Sequence, residues 1–271
     1  MALPPPRLKA RKRFGQNFLV DDSVIAAIVD AINPRPGEHL IEIGPGHAAL
    51  TRPVLERAGT LTAIELDRDL CEMLRHDPFL KGLTLIEGDA LKVDFEKLDG
   101  AGDLRIFGNL PYNITSPVIF HLLTQKGIRD MHFMLQKEVV ERLCAAPGSR
   151  DYGRLTVMVQ YCAKPYPMLT VSNTAFMPRP KVTSAVVRLI PRDLNDEQRA
   201  LRPFLNRVTT CAFSGRRKTL RNAVSALFSQ EELAALSIDS SLRPEDLSVD
   251  EYVKLADTLS KKSPSLRETQ E

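Results

Sequence analysis

Apolar residues recur along the chain in two alternating patterns. Behind the capping residues Asp21 and Ser23 they follow helical spacing as far as Asn33-Pro34. Short apolar strands and further helical stretches then alternate. The predicted strands cover 39–43, 60–66, 83–87, 104–107 and 131–135, and the predicted helices cover 50–58, 69–75 and 116–123. Such alternation predicts an α/β, Rossmann-like fold with a mostly parallel sheet and helices on both faces.

The alternation weakens beyond Gly153. A helix at 154–161, extended segments near 168–171 and 184–189, and a linker at 191–196 are predicted there. From Glu197 onward only helical periodicity remains. We therefore predict two domains, a catalytic domain over 1–192 and a small all-α domain over 193–271.

Composition narrows the class of protein. The chain has 271 residues, 43% of them hydrophobic and 26% charged, with a net charge of +3. The four cysteines show no CxxC spacing, and no apolar run approaches the roughly 18 residues that a membrane span needs. We expect a cytoplasmic protein without disulfides. Because the histidines and cysteines lack metal-ligand spacing, we also expect no catalytic metal.

Polar residues and glycines stand where successive predicted strands end. They are Gly44, Glu65, Asp89 and Asn109. In open parallel sheets, ligands bind at the carboxyl ends of the strands. Gly44 belongs to Gly44-Pro45-Gly46, which by itself predicts either a plain turn or a loop that lets a ligand approach the backbone.

The two acids indicate which ligand suits this edge. Glu65 is either a solvated acid or an acceptor for ribose hydroxyls, a feature that dinucleotide sites share. Asp89, in Gly88-Asp89-Ala90, either caps the next turn or accepts a hydrogen bond from an adenine amine. Two acids that grip both ends of an adenosine favour S-adenosylmethionine over a dinucleotide.

The most specific motif is Asn109-Leu110-Pro111-Tyr112. The exocyclic nitrogen of adenine is a poor nucleophile, because its lone pair is delocalised into the ring. An Asn oxygen and a neighbouring backbone carbonyl can accept both of its N–H groups and aim the lone pair at a methyl donor. Tyr112 offers a face on which an extruded base can stack. The alternative is a turn in which the motif merely ends a strand.

Together these motifs resemble those of the KsgA (RsmA)-type ribosomal RNA adenine dimethyltransferases, relatives of the erythromycin-resistance methylases. The resemblance covers nearly the whole chain. The segments that carry it are 13–19 (RFGQNFL), 42–46 (EIGPG), 65–67 (ELD), 88–90 (GDA), 109–112 (NLPY), 135–139 (LQKEV), 176–182 (FMPRPKV) and 216–222 (RRKTLRN).

The resemblance implies a class I methyltransferase that dimethylates the N6 amines of two adjacent adenosines near the 3′ end of 16S rRNA. Its partner would be 16S rRNA in the pre-30S subunit, with S-adenosylmethionine as cofactor and S-adenosylhomocysteine as product; we expect a monomer. The implied cofactor-binding residues are Asn17, Leu19, Gly44, Gly46, Glu65, Asp89 and Asn109. The implied catalytic residues are Asn109, Leu110, Tyr112 and Phe176, with Phe176 opposite Tyr112 on the flipped adenine.

Two positions depart from the family pattern. Ala48 replaces a frequent third glycine, and we expect it only to tighten helix packing. Thr183 replaces a frequent Asp in the loop that carries Phe176.

Basic residues suggest where RNA binds. Arg216, Arg217, Lys218 and Arg221 form either a phosphate-binding face or an ordinary solvated helix surface, and the resemblance favours RNA. A second basic tract covers 7–13. Two other functions stay open: a non-catalytic assembly checkpoint factor, and an adenine-N6 methylase of another nucleic acid.

Overall fold

The computed structural model describes residues 17–98, 102–215 and 217–262. They form two compact units. The first contains the described residues up to Val140 together with Tyr166–Pro191. The second contains Glu141–Pro165 together with the described residues from Arg192 onward. The sequence-based division at 192/193 placed 141–165 with the sheet, whereas helix packing groups this segment with the C-terminal helices.

The first unit is built around a seven-stranded sheet. Its elements in chain order, including two that run on into the second unit, are β1 (Phe18–Leu19), α1 (Asp22–Ile32), β2 (His39–Ile43), α2 (Thr51–Ala58), β3 (Leu61–Glu65), α3 (Arg68–Arg75), β4 (Leu83–Glu87), β5 (Leu104–Asn109), α4 (Thr115–Leu122), β6 (Ile128–Gln136), α5 (Lys137–Cys144), β7 (Ala163–Val171), β8 (Phe176–Met177) and β9 (Ser184–Pro191).

Strand order across this sheet is β4-β3-β2-β5-β6-β9-β7. The first five strands are parallel, and β9 is antiparallel to β6. The mostly parallel α/β sheet predicted from sequence is therefore confirmed. Chain order reverses at β2, with β3 on one side and β5 on the other. This is the switch point beside which open sheets bind their ligands.

Local sequence explains where the elements begin and end. The Asp21 carboxylate accepts from the backbone N–H groups of Ser23 and Val24 and so caps α1, which ends at Asn33 with φ of 50°. The buried face of α1 carries Ile28, Val29 and Ile32. Burying each of these side chains stabilises the fold by roughly 1.5–3 kcal/mol.

The sequence analysis located one of these strands only in part and missed two others. Strand β7 starts at Ala163, well before the predicted 168. Its first half was not predicted, because Pro165 and Pro167 lie within it. Proline is tolerated on an edge strand, and β7 is the edge of this sheet. The others, β1 and β8, have two residues each and pair with one another, Phe18 opposite Met177 and Leu19 opposite Phe176.

The second unit is mostly helical, as predicted. Its helices are α6 (Arg154–Cys162), α7 (Asp196–Ala200), α8 (Arg202–Ala212), α9 (Leu220–Ala223), α10 (Gln230–Ala235) and α11 (Val249–Lys262). Helices α6, α8 and α11 pack together. In the core of this unit the Phe213 and Tyr252 rings stack with centroids 5.7 Å apart, and the Tyr252 hydroxyl donates to Pro244 O. No helix in the described parts of the chain is long and apolar enough to cross a membrane.

Candidate active site

A cavity of about 190 Å³ opens at the carboxyl ends of the parallel strands. Loops after β2, β3, β4 and β5 form its walls, together with the segment that contains β1. The structure brings nearly all of the predicted cofactor-binding and catalytic residues to these walls: Asn17, Leu19, Gly44, Gly46, Glu65, Asp89, Asn109, Leu110 and Tyr112. Phe176 is the exception.

The glycine loop forms one wall. Gly44 and Gly46 adopt φ of +70° and +56°, a region that side chains with a Cβ rarely enter. A Cβ on Gly46 would also lie 3.2 Å from the Phe18 ring, whereas the space at Gly44 is open. Both glycines are therefore required by the turn, and at Gly44 the missing side chain leaves backbone accessible from the cavity.

Ala48 follows in the same loop with φ of +63° and is buried. The expectation that Ala48 only tightens helix packing is incomplete. The residue precedes α2, and its left-handed backbone favours the glycine that it replaces. Thr183 is exposed, and its carbonyl accepts from the Lys137 N–H, so the contact does not depend on the side chain.

Glu65 ends β3 as a buried acceptor. Its Oε1 accepts from the N–H groups of Leu66 and Asp67 at 2.9 Å, and its Oε2 accepts from Gly46 N at 3.3 Å. Burial raises the pKa of Glu65, while these three N–H donors oppose the rise. The bonds fix the carboxylate at the cavity wall.

Asp89 caps the next turn, as one of the two alternatives drawn from sequence predicted, and it also lines the cavity. Its Oδ1 accepts from Leu91 N at 3.0 Å. Within the described chain its Oδ2 has no hydrogen-bond partner. One oxygen is thus structural, and the other remains an acceptor for a ligand.

Asn109 ends β5 with its amide orientation fixed. Its Nδ2 donates to Asn17 O at 3.0 Å, so Oδ1 is the atom left as an acceptor. Among the described residues no donor uses the carbonyl of Leu110, whose own N–H bonds to Met134 O. The site therefore holds two adjacent acceptors, an amide oxygen and a backbone carbonyl, which can receive the two N–H groups of one amine.

Tyr112 lines the cavity, and its hydroxyl lies 2.9 Å from Ser184 Oγ. Phe176, by contrast, is 2% exposed, packs in the hydrophobic core and pairs with Leu19. The structure therefore puts Tyr112 at the cavity but not Phe176, whose ring is not accessible for stacking in this conformation.

Sequence reasoning missed two residues of this site. Glu42 lines the cavity at 2% exposure, and its Oε2 has no hydrogen-bond partner among the described residues. Burial and the nearby Glu65 carboxylate raise the pKa of Glu42 to about 8, and the nearby Thr51 hydroxyl opposes this rise.

The second missed residue is Gly108, where a Cβ would lie 2.3 Å from Ile43 O. The sequence did carry a signal for Gly108, a glycine between the predicted strand 104–107 and Asn109.

The predicted RNA-binding residues belong to the second unit. Arg217 and Lys218 are exposed in the loop before α9, not on a helix, and Arg221 is exposed on α9. None of these three cations forms an ion pair with a described residue. Arg216 and the tract 7–13 lie outside the described residues. No cluster of metal-ligating side chains occurs in the described part of the chain.

Comparisons with known proteins agree with this geometry. A family model, ribosomal RNA adenine dimethylase, matches residues 7–261. The chain is 57% identical over 260 residues to a ribosomal RNA small subunit methyltransferase A of Colwellia psychrerythraea, covering 92% of this chain and 84% of that one. It is 56% identical to the protein of the same name from Mannheimia succiniciproducens, covering 94% and 92%.

Two solved methyltransferase structures are similar in fold to this chain. A dimethyladenosine transferase from Plasmodium falciparum superposes with a TM-score of 0.77 at 26% identity, covering 91% of this chain and 98% of that one. The 23S rRNA methyltransferase ErmE shares the fold, with a TM-score of 0.66 at 24% identity, covering 90% and 100%. With the family model spanning most of its length, this chain belongs to the ribosomal RNA adenine dimethylase family.

Proposed function

We propose that the protein dimethylates the N6 amines of two adjacent adenosines near the 3′ end of 16S rRNA, within the immature small ribosomal subunit. It acts in the cytoplasm as a monomer, with S-adenosylmethionine as methyl donor and without a metal ion. One observation carries the proposal: Asn109 holds a free amide oxygen at the edge of a cavity walled by Glu65 and Asp89.

The cavity residues suit an adenosine with an amino-acid tail. Glu65 accepts from ribose hydroxyls, and the free Oδ2 of Asp89 accepts from the adenine amine. Gly44 and Gly46 let the tail approach the backbone, while Asn17 and Leu19 cover it from the β1 side. The bound cofactor supplies a methyl group on a sulfonium ion.

Asn109 and Leu110 prepare the target amine. Asn109 Oδ1 and the Leu110 carbonyl accept its two N–H groups, which draws the nitrogen toward a pyramidal geometry and directs its lone pair toward the methyl donor. The nitrogen becomes acidic only once it is alkylated, so its proton can pass to water without a strong base. For the second transfer one N–H remains, and one acceptor is enough to orient it.

Tyr112 binds the extruded base by stacking. Such a contact is worth roughly 1–3 kcal/mol per base, which offsets much of the cost of unstacking it from the RNA. We retain Phe176 as the second stacking residue. This role requires the β1–β8 pair to shift on RNA binding, so that the buried ring reaches the base.

Arg216, Arg217, Lys218 and Arg221 bind RNA phosphates. Removing one phosphate-binding cation lowers the salt dependence of binding by about one unit of logarithmic slope. Charge reversal of Arg217 and Lys218 should therefore weaken binding to the small subunit and flatten its dependence on salt, without altering cofactor affinity.

The direct test uses immature small subunits that lack the modification. With labelled S-adenosylmethionine, the wild type should yield N6,N6-dimethyladenosine, whereas Asn109→Ala should lose at least about a hundredfold in kcat, the usual cost of removing one oriented hydrogen-bonding group. The control Asn206→Ala removes an amide that bonds Arg154 in the second unit and should stay active. Full activity of Asn109→Ala would contradict the assignment.

A parallel, non-catalytic role in assembly is separable from catalysis. Cells lacking the gene would be complemented with Asn109→Ala: restored growth without methylation supports an assembly role, and no rescue assigns the phenotype to catalysis. Mass-spectrometric mapping of modified nucleotides in the same cells tests the alternative that another nucleic acid is the target.

A further inference from the structure

Ser184 is buried directly beside the active site. Its side chain is fully buried as the first residue of β9, and its Oγ lies 2.9 Å from the Tyr112 hydroxyl. The two residues stand 72 positions apart in the chain, so the fold alone brings them together. Ser184 lies outside every motif that carries the family resemblance.

The strand register ties Ser184 to the catalytic loop. Ser184 pairs with Gln136 at the end of β6, and two residues earlier in β6 Met134 pairs with Asn109. The backbone of Ser184 is therefore held by the same ladder that carries Asn109. A hydroxyl fixed in this way is a rigid point to which a loop side chain can be anchored.

We propose that Ser184 is a positioning residue that holds the Tyr112 ring in the orientation needed to stack on the target adenine. The inference rests on the proposed role of Tyr112. A tyrosine whose hydroxyl is tied to a strand has fewer orientations to lose when a base stacks on it, so the hydrogen bond lowers the ordering cost of binding the flipped base.

The alternative is that the bond only gives the buried Ser184 hydroxyl a partner where β9 begins. That structural role would lower the stability of variants that lose the bond but leave the activity of the folded enzyme unchanged. The two roles therefore differ in whether loss of the bond lowers kcat/KM, and does so by the same amount from either partner.

A double-mutant cycle separates them. Ser184→Ala and Tyr112→Phe each remove one partner of the bond, and Tyr112→Phe keeps the ring. We expect each single variant to lose roughly three- to tenfold in kcat/KM for small subunits, the range of one net hydrogen bond. The double variant should lose no more than either single one. Losses that multiply, or single variants with full activity, would overturn the proposal.

The matched control is Ser260→Ala. Ser260 is also buried, but its Oγ donates to Asp257 O within its own helix, so this variant should keep wild-type activity. Urea unfolding of every variant monitors folding. If Ser184→Ala does not fold, Tyr112→Phe still decides, since full activity of that variant means that the bond positions nothing.

A readout independent of methylation distinguishes failure of this inference from failure of the proposed function. In spectra of the protein with ¹³C-labelled tyrosine, the Tyr112 ring signal is assigned by its loss in Tyr112→Phe. Ser184→Ala should shift this signal and speed ring flipping. An unchanged ring signal overturns the role of Ser184 even if the wild type is active. If Ser184→Ala shifts the signal but the wild type transfers no methyl groups, only the proposed function is overturned.

Discussion

The central sheet has one edge where its parallel strands begin and another where they end, and these two edges use polar residues in opposite ways. Where β5 and β6 begin, Arg105 bonds both Asp130 and Glu38 and donates to the carbonyls of Ile32 and Asn33. Arg188 completes the pairing of Asp130. At or just beyond the carboxyl ends of β2, β4 and β5, Glu42, Asp89 and Asn109 each keep an oxygen without a hydrogen-bond partner among the described residues.

The difference separates stability from function. Buried polar groups are normally satisfied, and at the first edge each of these charged side chains is ion-paired, although Arg188 Nε is buried without a hydrogen-bond partner among the described residues. At the second edge Glu42 Oε2 is buried without such a partner, and the open oxygens of Asp89 and Asn109 belong to residues that line the same cavity, where a ligand can reach them. Mutations at the first edge should therefore change unfolding, and mutations at the second should change binding and rate.

The largest expected effect is on the paired edge. Asp130→Ala leaves Arg105, 7% exposed, without its main partner, and removing one member of a buried pair typically costs about 3–5 kcal/mol. Urea unfolding should show this loss. The control Asp103→Ala removes an acid 55% exposed beside Arg129 and should cost less than about 1 kcal/mol. Equal losses in the two variants would contradict the assignment.

The next effect is on the pH dependence of stability and concerns Glu42. Folding raises the pKa of Glu42 to about 8. Its contribution to the free energy of unfolding is therefore fully present below its unfolded pKa and is lost as the pH rises through about 8. Glu42→Gln has no such titration. Between pH 5 and 7 the wild type should lose about 3 kcal/mol relative to this variant, at roughly 1.4 kcal/mol per pH unit.

Urea unfolding of both proteins from pH 5 to 8 measures this difference. The exposed control Glu56→Gln in α2 should follow the wild type. If the difference in the free energy of unfolding between wild type and Glu42→Gln does not depend on pH, the Glu42 carboxyl stays charged in the folded protein and the prediction is wrong.

Gly108→Ala tests whether the close approach of β5 to β2 is needed to position Asn109. The new Cβ would collide with Ile43 O, so β5 has to move away from β2, at a cost of about 1–3 kcal/mol in stability. Asn109 moves with it, and a displacement near 1 Å can lower kcat about a hundredfold. Gly153→Ala, which meets no atom within 4 Å, is the control. An active Gly108→Ala enzyme would mean that the amide tolerates displacement.

The smallest effect is expected for Ala48→Gly. The change relieves a left-handed backbone, worth about 1 kcal/mol, and loses a buried methyl group, worth about 0.8 kcal/mol. The two nearly cancel. Ala63→Gly, in the buried strand β3, has no such relief and should be clearly destabilised. Thermal unfolding of both variants compares them, and equal destabilisation would rule out strain at Ala48.

Periodicity and strand-end chemistry predicted much of this molecule. The parallel sheet and its strand ends follow from apolar runs that stop at Gly44, Glu65, Asp89 and Asn109, because each of these features is local in sequence. Local signals revealed only the second half of β7, because Pro165 and Pro167 make its first half look unlike a strand. They also gave no indication that 141–165 packs with the C-terminal helices.

The partners of the site residues were equally hidden from the sequence. The contacts of Asn17 with Asn109 and of Ser184 with Tyr112 join distant segments, and no spacing along the chain encodes them. Phe176 illustrates the converse, since its motif predicts a ligand contact while its burial reflects pairing with Leu19. Which oxygens stay unsatisfied is a property of three-dimensional packing alone.

The bond from Asn109 Nδ2 to Asn17 O divides one side chain between two tasks. The nitrogen is bound within the protein, and under the proposed function the oxygen binds the substrate. A carboxylate is the stronger acceptor, yet Asn109→Asp would set a negative oxygen against the Asn17 carbonyl and turn the side chain away. A neutral amide therefore suits this position, because its N–H anchors the side chain while its oxygen stays an acceptor, and deamidation here would remove the anchor.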